Sequence, residues 1–182
     1  MSVPGPRLSK SKLMSGWQCP KRLWLELNGS GNIEYSAETE RVFAVGNAVG
    51  EMARRQFPDG ILIEHDRDMR AALAATAGHL DEPEPVTLFE ATLKADDVLV
   101  RADVLERDEN GRFRLIEVKA SAGVKDYHLQ DCAIQLWVLE RCGLPVEVVE
   151  LAHINTRFVY GGDVKTFRCT TQLMVIRGRY AA

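Results

Sequence analysis

Residues 98–137, VLVRADVLERDENGRFRLIEVKASAGVKDYHLQDCAIQLW, constrain the fold more than any other stretch. They read as strand, tight turn, strand, loop and helix. Val98 to Glu106 is rich in Val and Leu, and Arg112 to Ala120 forms the second strand. Asp108-Glu109-Asn110-Gly111 lies between them, and Asn-Gly is the strongest short hairpin signal. Side chains alternate along a strand, so Glu117 and Lys119 point the same way. An ordinary hairpin register brings Asp103 within reach of both. Two carboxylates suit a hard divalent cation, and a neighbouring amine can balance charge or orient a water. The plainer alternative is an exposed strand pair. Against it, Phe113 and Leu115 lie on one side of the strand and Ile116 and Val118 on the other, as in a strand covered on both faces.

Asp103, a gap of thirteen residues, then Glu117-Val118-Lys119 resembles the PD-(D/E)XK nuclease superfamily. More narrowly it resembles the RecB-like branch, which includes CRISPR-associated RecB-like exonucleases. EATLK…VRADVLER…LIEVKASAGVKDYHLQDCAIQ…LAHIN looks most like an uncharacterised bacterial RecB-like family with a longer C-terminal part. The resemblance covers roughly residues 8–165 and implies a short or truncated member. It implies a restriction-endonuclease-like α/β fold, with an αβββαβ core and a central mixed sheet flanked by helices. It also implies a site. Asp103 and Glu117 would hold Mg²⁺ or Mn²⁺ with the Val118 carbonyl, Lys119 would position water or neutralise phosphate, and Gln135 would orient substrate or water. The match at Gln135 is partial, because Leu139 stands where the family pattern has Tyr.

Two more segments carry the resemblance. Cys19-Pro20-Lys21-Arg22-Leu23-Trp24-Leu25 is similar to the Cys-Pro-Arg segment of RecB-like nucleases, whose Cys can be one of four iron–sulfur ligands. Such a cluster needs four thiolates, and no C-terminal trio accompanies Cys19, so a cluster would require a longer form. A small buried hydrophobe is the other reading of Cys19. On a helix expected over Glu38–Phe57, the family's Gly-x-x-x-His becomes Gly46-Asn47-Ala48-Val49-Gly50. Glu51 is next to the missing His position and is a candidate oxygen ligand, or a surface partner for Arg55. Gly46, Gly50 and Ala53 form a small-residue stripe that would let another backbone come close. Glu90, in a strand over Val86–Lys94, is a further candidate ligand or a cross-strand partner of Arg101.

Taken in order, Ser9 or Ser11 caps a short helix that Gly16 ends, and Pro20 opens another with Leu23, Trp24 and Leu27 as its stripe. Residues 28–37 are a loop. Ile61–Glu64 is a short strand, Asp66–His79 a helix, Asp126–Cys142 a helix and Val146–His153 a strand. The organisation is a basic helical lead segment over 1–37, a core over 38–165 and an unassigned tail over 166–182.

The chain has 182 residues, enough for one sizeable core, and is 46% hydrophobic and 27% charged. Its net charge of −3 gives no global basic field. Residues 1–25 nevertheless carry Arg7, Lys10, Lys12, Lys21 and Arg22 and no acid. Lys12, Lys21 and Arg22, with Lys125 and Tyr127 before and in the long helix, are candidate DNA contacts. A capping loop with a solvated lysine is the plainer reading of Lys125. No apolar run could span a bilayer and no signal-peptide pattern is present, so membrane partners are not expected. Cys19, Cys132, Cys142 and Cys169 lack disulfide-scaffold spacing, which points to a reducing, cytoplasmic setting. His65, His79, His128 and His153 are scattered, with no zinc spacing. No P-loop and no Ser-His-Asp set is present. The function expected is a metal-dependent DNA nuclease acting on single strands or ends, in repair or in phage or CRISPR defence. A nuclease-fold module that binds nucleic acid or protein without efficient cutting is the alternative, and a small-phosphodiester hydrolase is a third.

Overall fold

The computed structural model describes residues 8–29, 36–64 and 68–156. Arg7, His65, Cys169, the tail over 166–182 and the stretch following Thr156 lie outside the described residues. Among the described residues, six strands and five helices follow in the order β1 (Leu8–Ser9), α1 (Lys10–Gln18), α2 (Pro20–Asn28), α3 (Ala37–Arg54), β2 (Ile61–Leu62), α4 (Met69–Asp81), β3 (Val86–Ala95), β4 (Val98–Arg107), β5 (Phe113–Lys119), α5 (Asp126–Arg141) and β6 (Val146–His153). The sheet order is β2-β3-β4-β5-β6, with β1 added beside β4. β3–β4 and β4–β5 are antiparallel hairpins, while β5–β6, β2–β3 and β1–β4 are parallel. The fold is thus α/β, with a mixed sheet covered by helices, and the αβββαβ order expected from sequence is present.

Turn chemistry fixes the two hairpins. Asp96 and Asp97 both adopt positive φ, 44° and 64°, as a two-residue turn between twisted strands requires. In the second hairpin Asp108 Oδ1 accepts from the N–H groups of Asn110 and Arg112, and Gly111 takes φ 73°. The long crossover from β5 to β6 is α5, the usual link between parallel neighbours. Its Cys132, Leu136, Val138 and Leu139 join Leu88, Val100, Leu105 and Leu115 of the sheet in the main core. α4 adds Ala72 to that core. Phe89, Val104, Ile116 and Ala152 form a second, smaller cluster with Phe57, which follows α3.

Several expectations are corrected. Leu8–Ser9, within the stretch expected to be a helical lead segment, is a strand that pairs with β4. Gly16 does not end α1. The helix runs through it to Gln18, and a Cβ there would lie 2.7 Å from Leu23 Cδ2, so glycine lets α2 fold back closely. Gly46 and Gly50 do the opposite of what a small-residue stripe suggests, because a Cβ at either meets nothing within 4 Å. They face open space, and only Val49 and Ala53 of α3 are buried. α2 buries no residue, and Trp24 remains 62% exposed. The helix expected from Asp66 begins at Met69, where Asp68 caps it by accepting from the N–H groups of Arg70 and Ala71.

Candidate active site

The site forms where two strands part. β4 and β5 pair from Val104↔Ile116 to Arg107↔Phe113. Continuing that register sets Asp103 level with Glu117, but the backbone ladder stops short of them. Asp103 fills the gap itself: its Oδ2 accepts the Val118 N–H at 2.7 Å. On the other edge of β4 the ladder is also interrupted, because Phe89↔Val104 and Ala91↔Ala102 pair while Glu90 and Asp103 between them do not. Glu90 takes φ 57°, a left-handed conformation uncommon outside glycine. The face alternation flips there. Val98, Val100 and Ala102 face the main core, then Val104 faces the second cluster and Leu105 the main core again. The irregularity sits at the candidate carboxylate, where strained backbone commonly accompanies function.

Glu117 and Lys119 share a face with Leu115, towards α5. Glu117 is 2% exposed, so its charge must be matched inside the protein. Its Oε1 lies 2.5 Å from Lys119 Nζ and 3.1 Å from Lys10 Nζ, and Gln135 Nε2 donates to its Oε2 at 2.6 Å. Asp131, one helical turn before Gln135, completes the group. It pairs with Lys119, lies 2.8 Å from Lys10 Nζ, and accepts from Gln135 Nε2 at 3.2 Å. Both carboxylates only accept, which fixes the Gln135 amide with its nitrogen towards them. Gln135 is fully buried beneath Glu117 and does not line the cleft.

A cleft of about 420 Å³ opens between α3 and the sheet, with Gly50, Glu51 and Arg54 facing Glu90, Asp103 and Lys119. Asp103 keeps a partly exposed edge there, yet protein crowds its carboxyl. Burial pushes its pKa up to about 8, and the charge of Glu117 adds to that rise, against the pull of Lys10 and the Val118 N–H. Asp131 behaves oppositely: burial opposes its charge, but Lys10 and Lys119 outweigh that and hold its pKa below the usual value. Lys10 and Lys119 are likewise disfavoured by burial, and Glu117 and Asp131 more than reverse this, raising both ammonium pKa values.

The donor set fits a hard divalent cation. Asp103 and Glu117 offer carboxylate oxygens, and an added cation would offset both the burial and the Glu117 repulsion that raise the Asp103 pKa. Among the described residues no three His, Cys, Asp or Glu side chains come together as a metal-holding group. An ion would therefore rest on these two carboxylates and the Val118 carbonyl, and would take its other oxygens from water or phosphate, as Mg²⁺ often does.

The fold brings Asp103, Glu117, Val118, Lys119 and Gln135 together, and places Glu51 and Glu90 on the cleft. Glu90 also pairs with Arg101, at 2.5 Å. It does not gather the proposed DNA contacts around the cleft. Lys12 is half-buried on α1, Lys21 and Arg22 are exposed on α2, and Arg22 pairs with Glu26 at 2.8 Å. Lys125 and Tyr127 stand exposed at the start of α5, the ammonium 5.7 Å from the ring centroid. Cys19 is exposed between α1 and α2, so it is not a buried hydrophobe, and Cys132 is buried. His153 is buried in β6, with Nδ1 3.1 Å from the Ile154 carbonyl oxygen. Sequence reasoning missed Asp131, whose signal was its four-residue spacing from Gln135, and Lys10, which had no local signal.

The chain matches no known protein-family profile and no curated protein. Among solved structures it is similar to one described as the crystal structure of SSO0001, at 16% identity and a TM-score of 0.37 over 85% of this chain. This chain spans 65% of that one. A likeness at that level assigns neither family nor activity. No helix among the described residues is long and apolar enough to cross a membrane.

Proposed function

We propose that the chain is a metal-dependent DNA nuclease of the PD-(D/E)XK superfamily, in its RecB-like branch, acting on single strands or ends. The observation that carries the reading is the meeting of Asp103, Glu117 and Lys119 where β4 and β5 part, with the Asp103 pKa raised by burial and by the charge of Glu117. Asp103, Glu117 and the Val118 carbonyl would hold Mg²⁺ or Mn²⁺. Such an ion, when bound, supplies Lewis-acid stabilisation of charge building on the phosphate. Lys119 keeps an ammonium beside Glu117 at the cleft, where it can face a phosphate oxygen. Gln135 and Asp131 act behind it, fixing the orientation of Glu117 and Lys119. Lys12 on α1 and Lys21 on α2, which stand away from the cleft, would hold DNA outside it electrostatically, so binding should weaken with salt.

A second reading, a nucleic-acid-binding module without efficient cleavage, is favoured by Gly50 at the motif histidine position and by the engagement of both Glu117 oxygens with protein donors. End-labelled single- and double-stranded DNA incubated with Mg²⁺, Mn²⁺ or chelator separates the two. Cutting that requires metal supports the nuclease. DNA held equally in chelator and Mn²⁺, and never cut by folded protein, supports the binding module. Cleavage of small phosphodiesters without preference for polymer would point to the hydrolase.

A further inference from the structure

Lys10 reaches the site by a specific route. β5 occupies the edge of β4 only from Val104 onward, and β1 takes the start of the same edge, at Val98 and Leu99. The chain enters α1 immediately after β1, with Ser9 as N-cap. The first helical residue is thereby set at the fork, where Lys10 Nζ lies 3.1 Å from Glu117 Oε1 and 2.8 Å from Asp131 Oδ1. Two ammoniums, Lys10 and Lys119, face two carboxylates, Glu117 and Asp131. The group is neutral as it stands.

A carboxylate oxygen has about two lone-pair sites. Glu117 Oε1 is filled by the two lysines, while Oε2 accepts from Gln135 and keeps one site, so an ion taken there sits against both ammoniums. A divalent ion between Asp103 and Glu117 needs an oxygen of Glu117 and repels both ammoniums. Gln135 is fully buried, and Lys119 lies on the same strand as Glu117, two residues on, whereas Lys10, which like Lys119 also binds Asp131, comes from a separate element. Lys10 is the first residue of a nine-residue helix that follows the two-residue β1, so its side chain can swing off Glu117 without parting β4 from β5.

We propose that Lys10 is the site's internal counter-cation: it holds the Glu117 carboxylate in the metal-free protein and is displaced from it when a divalent ion binds. The inference rests on the nuclease reading and adds how the metal is admitted. Lys10 is a positioning residue, and its removal should tighten metal binding, whereas loss of a merely structural contact would weaken it.

The test is Mn²⁺ binding to the full chain by calorimetry. Lys10→Met should bind about tenfold more tightly than wild type, and Lys10→Arg close to wild type. Unchanged or weaker binding by folded Lys10→Met overturns the proposal. If Lys10→Met does not fold, reductive methylation of wild-type protein decides by peptide mass spectrometry. Mn²⁺ should raise modification of Lys10 several-fold and leave Lys12, on the same helix, unchanged. Equal Lys10 modification with and without Mn²⁺ overturns the proposal. Absence of Mn²⁺ binding by wild type, or binding that survives Asp103→Ala, removes the nuclease site and this inference together. Wild-type binding that depends on Asp103, without tightening in Lys10→Met, removes the Lys10 role alone.

Discussion

Asp103→Asn should stabilise the metal-free protein, and by more as the pH rises. The fold moves this carboxyl from its ordinary 3.8 to about 8, because burial disfavours the charge and Glu117 repels it. Between those values the folded state holds a proton that the unfolded state has released. Stability therefore falls with rising pH across the window from about 4 to about 8. Each pH unit is worth about 1.4 kcal/mol for an isolated group, which sets a ceiling of about 4 kcal/mol at neutral pH. The exposed edge of Asp103 and relaxation of Lys10 towards it screen much of that, leaving about 1–3 kcal/mol. Asparagine has the same shape, carries no charge, and retains an oxygen for the Val118 N–H. Thermal melts in chelator should give Asp103→Asn a Tm about 2–10 °C above wild type at pH 8, with the gap closing towards pH 4. Saturating Mg²⁺ should raise wild type and not the variant, by about 2.7 kcal/mol at a hundredfold excess over Kd. A variant no more stable at pH 8, or a gap independent of pH, would refute the reasoning. Either result would mean that the carboxyl is ionised and compensated in the metal-free fold.

Glycine substitutions should split by environment. Gly46→Ala and Gly50→Ala, with open space at the added Cβ, should each stabilise by roughly 0.4–1 kcal/mol in denaturant titrations. Gly60→Ala should destabilise by about 1–3 kcal/mol, since its Cβ would lie 2.3 Å from Phe89 Cζ and 3.1 Å from the Phe57 carbonyl oxygen. Arg107 donates to the carbonyls of His79, Leu80 and Glu84, tying the end of α4 and the following loop to β4. Arg107→Leu should cost about 2–4 kcal/mol, and Arg107→Lys less, by the same titrations.

What was legible in the sequence is local. Asp108, Asn110 and Gly111 specify a turn, the turn fixes the register, and the register sets Asp103 level with Glu117. Phe113 and Leu115 on one side and Ile116 and Val118 on the other marked a strand covered on both faces, as it is. The helix over Asp126–Cys142 and the strand over Val146–His153 were both legible, and they form α5 and β6. What was not legible depends on contacts distant in sequence. Leu8–Ser9 is too short for a strand pattern and becomes one only because β5 vacates the edge of β4. Lys10 acquires its role from that placement, across 107 residues. The phase flip at Glu90 has no signature in VTLFEATLK. Gly46 and Gly50 read as a close helix contact, and the tertiary arrangement instead leaves open space beside both.

The most direct test of the central claim is single-turnover cleavage of end-labelled single-stranded DNA in Mn²⁺ by wild type and Asp103→Asn, with both proteins shown folded by melting. We predict metal-dependent cutting by wild type and a loss of about a hundredfold or more in the variant. Cutting by Asp103→Asn at the wild-type rate, or none by folded wild type in any metal, would contradict the assignment of this site.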